Sequence, residues 1–399
     1  MSGNMERVLR LMAERGASDV YLSVNTPILI KIDGQMVQLS EQLVSAGQMR
    51  QLLAEVLSAA QLEELDRTRE LNAGVGLPGV GSFRVSAFHQ RGSLAAVVRC
   101  VPGDIPLPGE LGLPPILSEL VLEKRGLLLM AGATGTGKST TLASVLEWRN
   151  QQMTGHILTI EDPIEFLFTN KRSIVNQREV GRDTESLHVA LRNSLRQAPD
   201  CILIGEIRDR ETMTAALSIA LSGHLVLATL HANNSAHALG RILSFYPPEA
   251  RPALLSDLAA ALKAVVSQRL LRANVGGRVP AIEVLLNTKL VSELIEAGDM
   301  PGVREAMESS MAAGSQTFEQ DLIRLVTQGY VSRDEAVAYA DSPANLLWKL
   351  QNVGDTVAQS LESARQGPVA EVPTYTSFAV DVRAPVQDLP PVRPAARPR

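Results

Sequence analysis

Eight consecutive residues, Gly132, Ala133, Thr134, Gly135, Thr136, Gly137, Lys138 and Ser139, stand between an apolar run at 127–131 and a helical pattern beginning near residue 139, with Thr140 next in line. Glycines at this spacing let successive backbone N–H groups curl around a phosphate with no Cβ in the way. A helix N-terminus after such a turn adds partial positive charge, a lysine in the place of Lys138 reaches the β and γ phosphates, and a hydroxyl in the place of Ser139 ligates Mg²⁺. The run is a full Walker A pattern, and it predicts that residues 132–140 cradle a nucleoside triphosphate, ATP, together with Mg²⁺. A chance match in a glycine-rich turn would not explain the strand before it and the helix after it.

Carboxylates follow where hydrolysis needs them. The apolar run 157–160 leads into Glu161, Asp162, Pro163, Ile164 and Glu165. In open parallel sheets the ligand crevice lies outside the carboxyl ends of the strands, so these acids are candidates for the base that activates an attacking water. The run 201–204 leads through Gly205 to Glu206, which has the physical content of a Walker B element. Glycine stands where many P-loop enzymes put aspartate, so Glu206 is expected to serve the magnesium shell through water.

His224 and His231 bracket the next apolar run, 225–230. Placement at a strand end in the same crevice makes His231 a candidate sensor of the γ-phosphate and His224 a nearby polar contact. The other four histidines have no such context and are assigned no role. Arg84, Arg91 and Arg99 lie on or beside strand-like runs in the first hundred residues. Charge gathering on the γ-phosphoryl oxygens is often met by an arginine from another domain or subunit, and Arg84 and Arg99 are the candidates.

These residues need a scaffold. Runs of strand length at 127–131, 157–160, 201–204 and 225–230 alternate with helical patterns at 139–152, 187–197 and 210–222. Continuous apolar runs suit strands buried on both faces, as in a parallel sheet flanked by helices, so the fold class is α/β. Before this core, residues 1–101 mix helical segments (5–15, 45–57) with strand-like runs (20–23, 28–32, 83–88, 95–100), which reads as a small α+β domain. Five prolines in 102–115 make that stretch the expected linker to the core at 116–251. Beyond about residue 252 the strand signal fades and helical periodicity dominates, so 252–352 is expected to be a helical subdomain. Segment 353–399 holds seven prolines without periodicity, a composition expected to remain disordered.

Composition narrows the function classes. A chain of 399 residues with 45% hydrophobic content is long enough for more than one cored domain. No apolar stretch approaches the roughly 20 residues needed to cross a bilayer, and the N-terminus carries no readable export signal, so a soluble protein is expected. Cys100 and Cys201 sit in separate apolar runs and read as buried free thiols, which fits a reducing cytoplasm. A net charge of −5 leaves no broad basic footprint and argues against nucleic acid as a partner.

Taken together, GATGTGKST, ILTIEDPIEF, VNQREVGRDT, LRNSLRQAPDCILIGEIRD and SGHLVLATLHANNSA resemble the secretion ATPases of type II and type IV systems, in particular the pilus retraction branch of PilT and PilU. The resemblance runs from about residue 5 to 350. It implies a PAS-like N-terminal domain, a RecA-like P-loop domain with a helical C-terminal subdomain, and a homo-hexameric ring in which one subunit's first domain packs on its neighbour's core. It also implies Glu165 as the general base, Glu206 as an atypical Walker B glutamate, His224 and His231 as the histidine pair, and Arg84 and Arg99 as arginines reaching the nucleotide.

Extension and secretion members carry a four-cysteine zinc insert, whereas this chain has two cysteines, which favours retraction. The helix that contains Ala-Ile-Arg in PilT reads LVSELIEAG here, closer to PilU. The resemblance therefore implies an accessory motor beside a PilT-type partner, acting on a platform protein at the cytoplasmic face of the inner membrane and serving twitching motility. Two other classes remain open at this stage: a RecA-like DNA translocase, and a ring-forming scaffold that binds ATP with little hydrolysis.

Overall fold

The computed structural model describes residues 3–32, 35–77, 79–101 and 103–352; the segment 353–399, expected above to be disordered, lies outside the described residues. The first sheet is built from α1 (Asn4–Glu14), β1 (Asp19–Ser23), β2 (Pro27–Ile32), β3 (Gln35–Leu43), α2 (Ala46–Ala54), α3 (Ala59–Thr68), β4 (Glu70–Leu77), β5 (Gly81–Gln90) and β6 (Ser93–Val101). Its six strands run in the order β3-β2-β1-β6-β5-β4, every neighbouring pair antiparallel.

One face of this sheet is covered by helices. On α1 the buried residues Met5, Val8, Leu9 and Met12 follow helical spacing, while on β5 Phe83, Val85 and Ala87 alternate inward. That alternation turns Arg84 to the opposite face. Ser45 and Ser58 open α2 and α3 with capping boxes completed by Gln48 and Gln61, each cap contributing about 1 kcal/mol.

No helix or strand occurs in 103–115. The second sheet and its helices follow: α4 (Ile116–Leu120), β7 (Gly126–Ala131), α5 (Lys138–Gln152), β8 (Gly155–Glu161), β9 (Ser173–Glu179), α6 (Leu187–Ser194), β10 (Cys201–Ile204), α7 (Arg210–Leu221), β11 (Leu225–Leu230), α8 (Ser235–Ser244), α9 (Arg251–Ala261), β12 (Leu262–Arg272) and β13 (Arg278–Leu286). Helices α10 (Lys289–Ala297), α11 (Met300–Glu308), α12 (Phe318–Thr327) and α13 (Arg333–Ala338) follow, and residues 343–352 are again helical. The strand order is β13-β12-β7-β11-β10-β8-β9, parallel throughout except for the β12–β13 pair.

The continuous apolar runs behave as their pattern predicts. Every residue of β7, β10 and β11 is buried, with Leu127 and Leu129 packed into one apolar cluster and Leu128 and Met130 into another on the opposite face. Fully burying such a side chain stabilises the fold by about 1.5–3 kcal/mol.

The expectation that strands fade beyond residue 252 is corrected. β12 and β13 occupy 262–286, and β12 pairs in parallel with β7, placing it next to the strand that leads into the Walker A loop. The run LKAVVSQRLLR hides this because polar Ser267 and Gln268 interrupt it, yet both are buried and hydrogen-bonded. Edge strand β9 also escaped the sequence reading, its Asn, Gln, Arg and Glu side chains making polar contacts rather than core.

Candidate nucleotide-binding site

Register decides which loops meet. Ala131 of β7 lies beside Leu230 of β11 and Ser267 of β12, while Ile204 of β10 pairs with Ile160 of β8 and Ala228 of β11. Because these strands are parallel, the residues after 131, 160, 204 and 230 all emerge at one edge of the sheet. A cavity of about 810 Å³ opens there, lined by Lys138, Ser139, Glu165, Glu206, Arg208 and His231 among others.

The Walker A turn is held from beneath. A Cβ on Gly132 would fall 2.5 Å from Thr136 Oγ1 and 2.9 Å from the Gln268 carbonyl oxygen, so only glycine fits. Gly137 precedes α5 at φ +85°, the left-handed region that glycine enters without strain. Thr136 Oγ1 donates to the Ala133 carbonyl at 2.9 Å, and Lys138 Nζ donates to the carbonyls of Gly132 and Ala133 at 2.8 Å each. Thr134, Gly135, Gly137, Lys138, Ser139 and Thr140 line the cavity, the last three being the first turn of α5 with its N-terminal partial charge.

Lys138 is 8% exposed. Burial lowers its pKa, and the fields of Glu206 and Glu165 act in the opposite direction, so both carboxylates bear on this ammonium. Among the described residues no group of three or more His, Cys, Asp or Glu side chains is arranged to hold a metal ion by itself. A hydroxyl, Ser139, and a carboxylate, Glu206, on one cavity fit a Mg²⁺ that takes its other oxygens from phosphate and water, the usual mode for this ion.

Glu161 and Glu165 occupy different surroundings on the loop after β8. Glu161 accepts from Thr159 Oγ1 at 2.6 Å and from Gln177 Nε2 at 3.3 Å; burial raises its pKa and these hydrogen bonds oppose the rise. Glu165 is exposed and lines the cavity. Its loop is pinned on both sides. Ile164 N donates to Glu179 Oε2 at 3.1 Å, Phe168 N donates to Gln177 Oε1 at 2.9 Å, and Gln177 Nε2 donates to the Phe166 carbonyl at 2.8 Å.

Across the cavity, Glu206 meets two cations or potential cations. His231 Nε2 stands 3.1 Å from Glu206 Oε1, and Arg208 Nε donates to Glu206 Oε2 at 2.6 Å while its Nη1 lies 3.7 Å from Asp162 Oδ2. Arg208 thus joins the β8 and β10 loops. Sequence reasoning gave it no role, although it follows Glu206 by two residues in GEIRD. Gln177 and Glu179 were quoted in VNQRE and likewise given none; their signal was their place on an edge strand beside the acidic loop.

One expectation is corrected. His224 does not share the crevice: it precedes β11 at the opposite edge of the sheet, where its carbonyl accepts from Gly126 N and its ring contacts Ser222 Oγ at 3.0 Å. A six-residue strand separates it from His231, a span of about 20 Å at 3.3 Å per residue. Arg84 and Arg99 do not line the cavity of their own chain. Arg84 Nη2 donates to the Ile164 carbonyl at 2.9 Å, bracing the Glu165 loop, and Arg99 pairs with Asp19 at 2.8 Å on the first sheet.

Comparison with known proteins gives relatives along most of the chain. The family model described as "Type II/IV secretion system protein" matches residues 5–338. The Type IV pilus ATPase PilU of Pseudomonas aeruginosa is 44% identical over 92% of this chain and 96% of its own length. The Type IV pilus retractation ATPase PilT of the same organism is 37% identical over 86% of this chain and 99% of its own. A crystal structure of the pilus retraction motor PilT with bound ADP superposes with a TM-score of 0.81 at 39% identity, covering 86% of this chain and 99% of that one.

Proposed function

The chain belongs to the type II/IV secretion system protein family, in its PilT/PilU branch of pilus retraction ATPases, and we propose that within that branch this ATP hydrolase works as a PilU-type accessory motor for pilus retraction and twitching motility. One observation carries the catalytic part: Lys138, Glu165, Glu206 and His231 converge on a single cavity from the segments that follow four different strands. In this reading residues 132–140 cradle the phosphates through backbone N–H groups and the α5 N-terminus, and Lys138 turns from the loop carbonyls to the β and γ oxygens. Ser139, and Glu206 through water, would hold the Mg²⁺, which would supply positive charge beside the phosphoryl oxygens. Glu165 takes the proton of the attacking water, and His231, tied to Glu206, reads the γ-phosphate.

The working form is a homo-hexamer. Neither Arg84 nor Arg99 reaches its own chain's cavity, so their route to a nucleotide runs through a neighbouring subunit, with Arg99 the more exposed of the two. Hydrolysis would then move each core against an adjoining first domain and push on a membrane platform protein at the cytoplasmic face. No described helix is long and apolar enough to cross a membrane, so attachment there would rest on protein partners. The PilU-type assignment is supported by the 44% identity to PilU against 37% to PilT, and by LVSELIEAG in α10.

The reading is tested by counting surface pili and measuring twitching in a deletion strain complemented with the natural chain, Lys138→Ala or Glu165→Ala. Surplus pili with weakened motility, rescued by the natural chain alone, is the expected result. Bald cells would indicate extension instead. Full retraction by this chain in a strain lacking any PilT-type motor would mark a main motor rather than an accessory one.

A further inference from the structure

Gln268 lies on β12, 3% exposed, 132 residues beyond Thr136 of the Walker A turn, and both its main chain and its side chain touch that turn. Its Nε2 donates to the Thr136 carbonyl at 2.7 Å, and its Oε1 accepts from Thr141 Oγ1 at 2.8 Å. The amide orientation is fixed by these partners, since a flipped group would set Oε1 against the Thr136 carbonyl oxygen. Its own carbonyl oxygen lies 2.9 Å from where a Gly132 Cβ would be, and its Nε2 lies 2.9 Å from where a Gly137 Cβ would be. One residue therefore sets the floor under both the first and the last glycine of the loop.

We propose that Gln268 is a positioning residue for nucleotide binding: its carboxamide clips the loop at Thr136 to the first turns of α5 at Thr141 and holds the backbone N–H groups aimed at the phosphates. The inference rests on reading 132–140 as the nucleotide cradle. Alternation along β12 adds a second element. Ser267 and Arg269 face the other side of the sheet, where Ser267 Oγ contacts Ser235 Oγ at 3.2 Å and Arg269 Nη2 donates to the Asn233 carbonyl at 3.2 Å. The end of β12 thus joins the phosphate loop on one face to the turn after His231 on the other. An amide is the side chain suited to the first task because it carries a donor and an acceptor without charge. Glutamate at this position would keep the acceptor for Thr141, lose the donor to Thr136, and place a negative charge next to the phosphates.

The test uses the full chain and fluorescent ADP with Mg²⁺, titrated well below the melting temperature, alongside kcat and KM for ATP. Gln268→Ala is expected to weaken ADP binding and raise KM about tenfold, with kcat changing less. Gln268→Glu is expected to bind more weakly than the alanine variant, and Thr141→Val to lose a smaller factor in the same direction. The glutamate variant keeps size and buried contact, so its ranking below alanine separates positioning from a packing role. Unchanged ADP affinity in all three variants, or glutamate binding as tightly as the natural chain, overturns the proposal. Failure of the natural chain itself to bind ADP overturns the nucleotide reading and the Gln268 inference with it.

Discussion

His231 Nε2 stands 3.1 Å from Glu206 Oε1, so the loop that follows β11 and the loop that follows β10 meet in one imidazole–carboxylate contact on the wall of the cavity. The contact holds the ring beside the residue expected to serve the metal. Replacing His231 by alanine removes a polar group aimed at developing phosphoryl charge, and kcat is expected to fall roughly 10²-fold, the loss typical of removing one such donor. ADP affinity should change far less. Steady-state turnover and ADP titration of the same preparation check this, and equal losses in both would mean that the ring serves binding alone.

Glu161 and Glu165 share a loop but differ in surroundings, and this separates their roles. Glu165 is exposed on the cavity, so Glu165→Gln is expected to lower kcat by about 10²–10⁴-fold, as for loss of a general base, with KM little altered. Glu161 already spends one oxygen on Thr159 and Gln177, which glutamine could still accept from. Glu161→Gln should cost less than tenfold. The opposite ranking in single-turnover measurements would move the base to Glu161.

Glu283 of β13 is 3% exposed and accepts from Ser235 N at 2.7 Å and Ser235 Oγ at 2.6 Å. Burial raises its pKa, the Ser235 bonds oppose the rise, and nearby Asp341 adds to it. A raised folded-state value means that the group's contribution is fully present below the ordinary carboxylate range and is lost as pH climbs through the raised value. The stability of the natural chain relative to Glu283→Gln should therefore fall as pH rises. Urea denaturation of both proteins across the acidic to neutral range measures the difference, and a pH-independent gap contradicts it.

The two thiols should behave as buried groups. Burial pushes Cys201 up to about 12 and raises half-buried Cys100 as well, so neither presents much thiolate near neutral pH. At pH 8 a thiol reagent is expected to leave Cys201 unmodified in the folded chain and to label Cys100 slowly. Both should react at once in guanidinium. Peptide mass mapping identifies the sites, and fast native labelling of Cys201 would mean that β10 opens readily.

Much of this molecule was legible in its residue order because the signals are local. The Walker A glycines must follow one another to form an anion cradle, and β7, β10 and β11 announce themselves by unbroken apolar runs, since strands buried on two faces have no polar side to show. Lys138, Glu165, Glu206 and His231 were found because each follows such a run. β12 was missed for the converse reason: Ser267 and Gln268 break its apolar pattern, and the burial of their polar groups is satisfied by Ser235, Thr136 and Thr141, partners far away in sequence.

The chemistry, then, was set by types and spacing within short segments, whereas its placement was decided by strand order and register. Residue order already put His224 and His231 at opposite ends of β11, but it could not tell that the end carrying His231 meets the Walker A turn and the loops after β8 and β10. Nor could it tell that Arg84 braces the Glu165 loop or that Gln268 floors the phosphate turn. Those contacts join residues 80 and more than 130 positions apart, and a hydrogen bond of about 3 Å between such residues exists only once folding has brought two surfaces together.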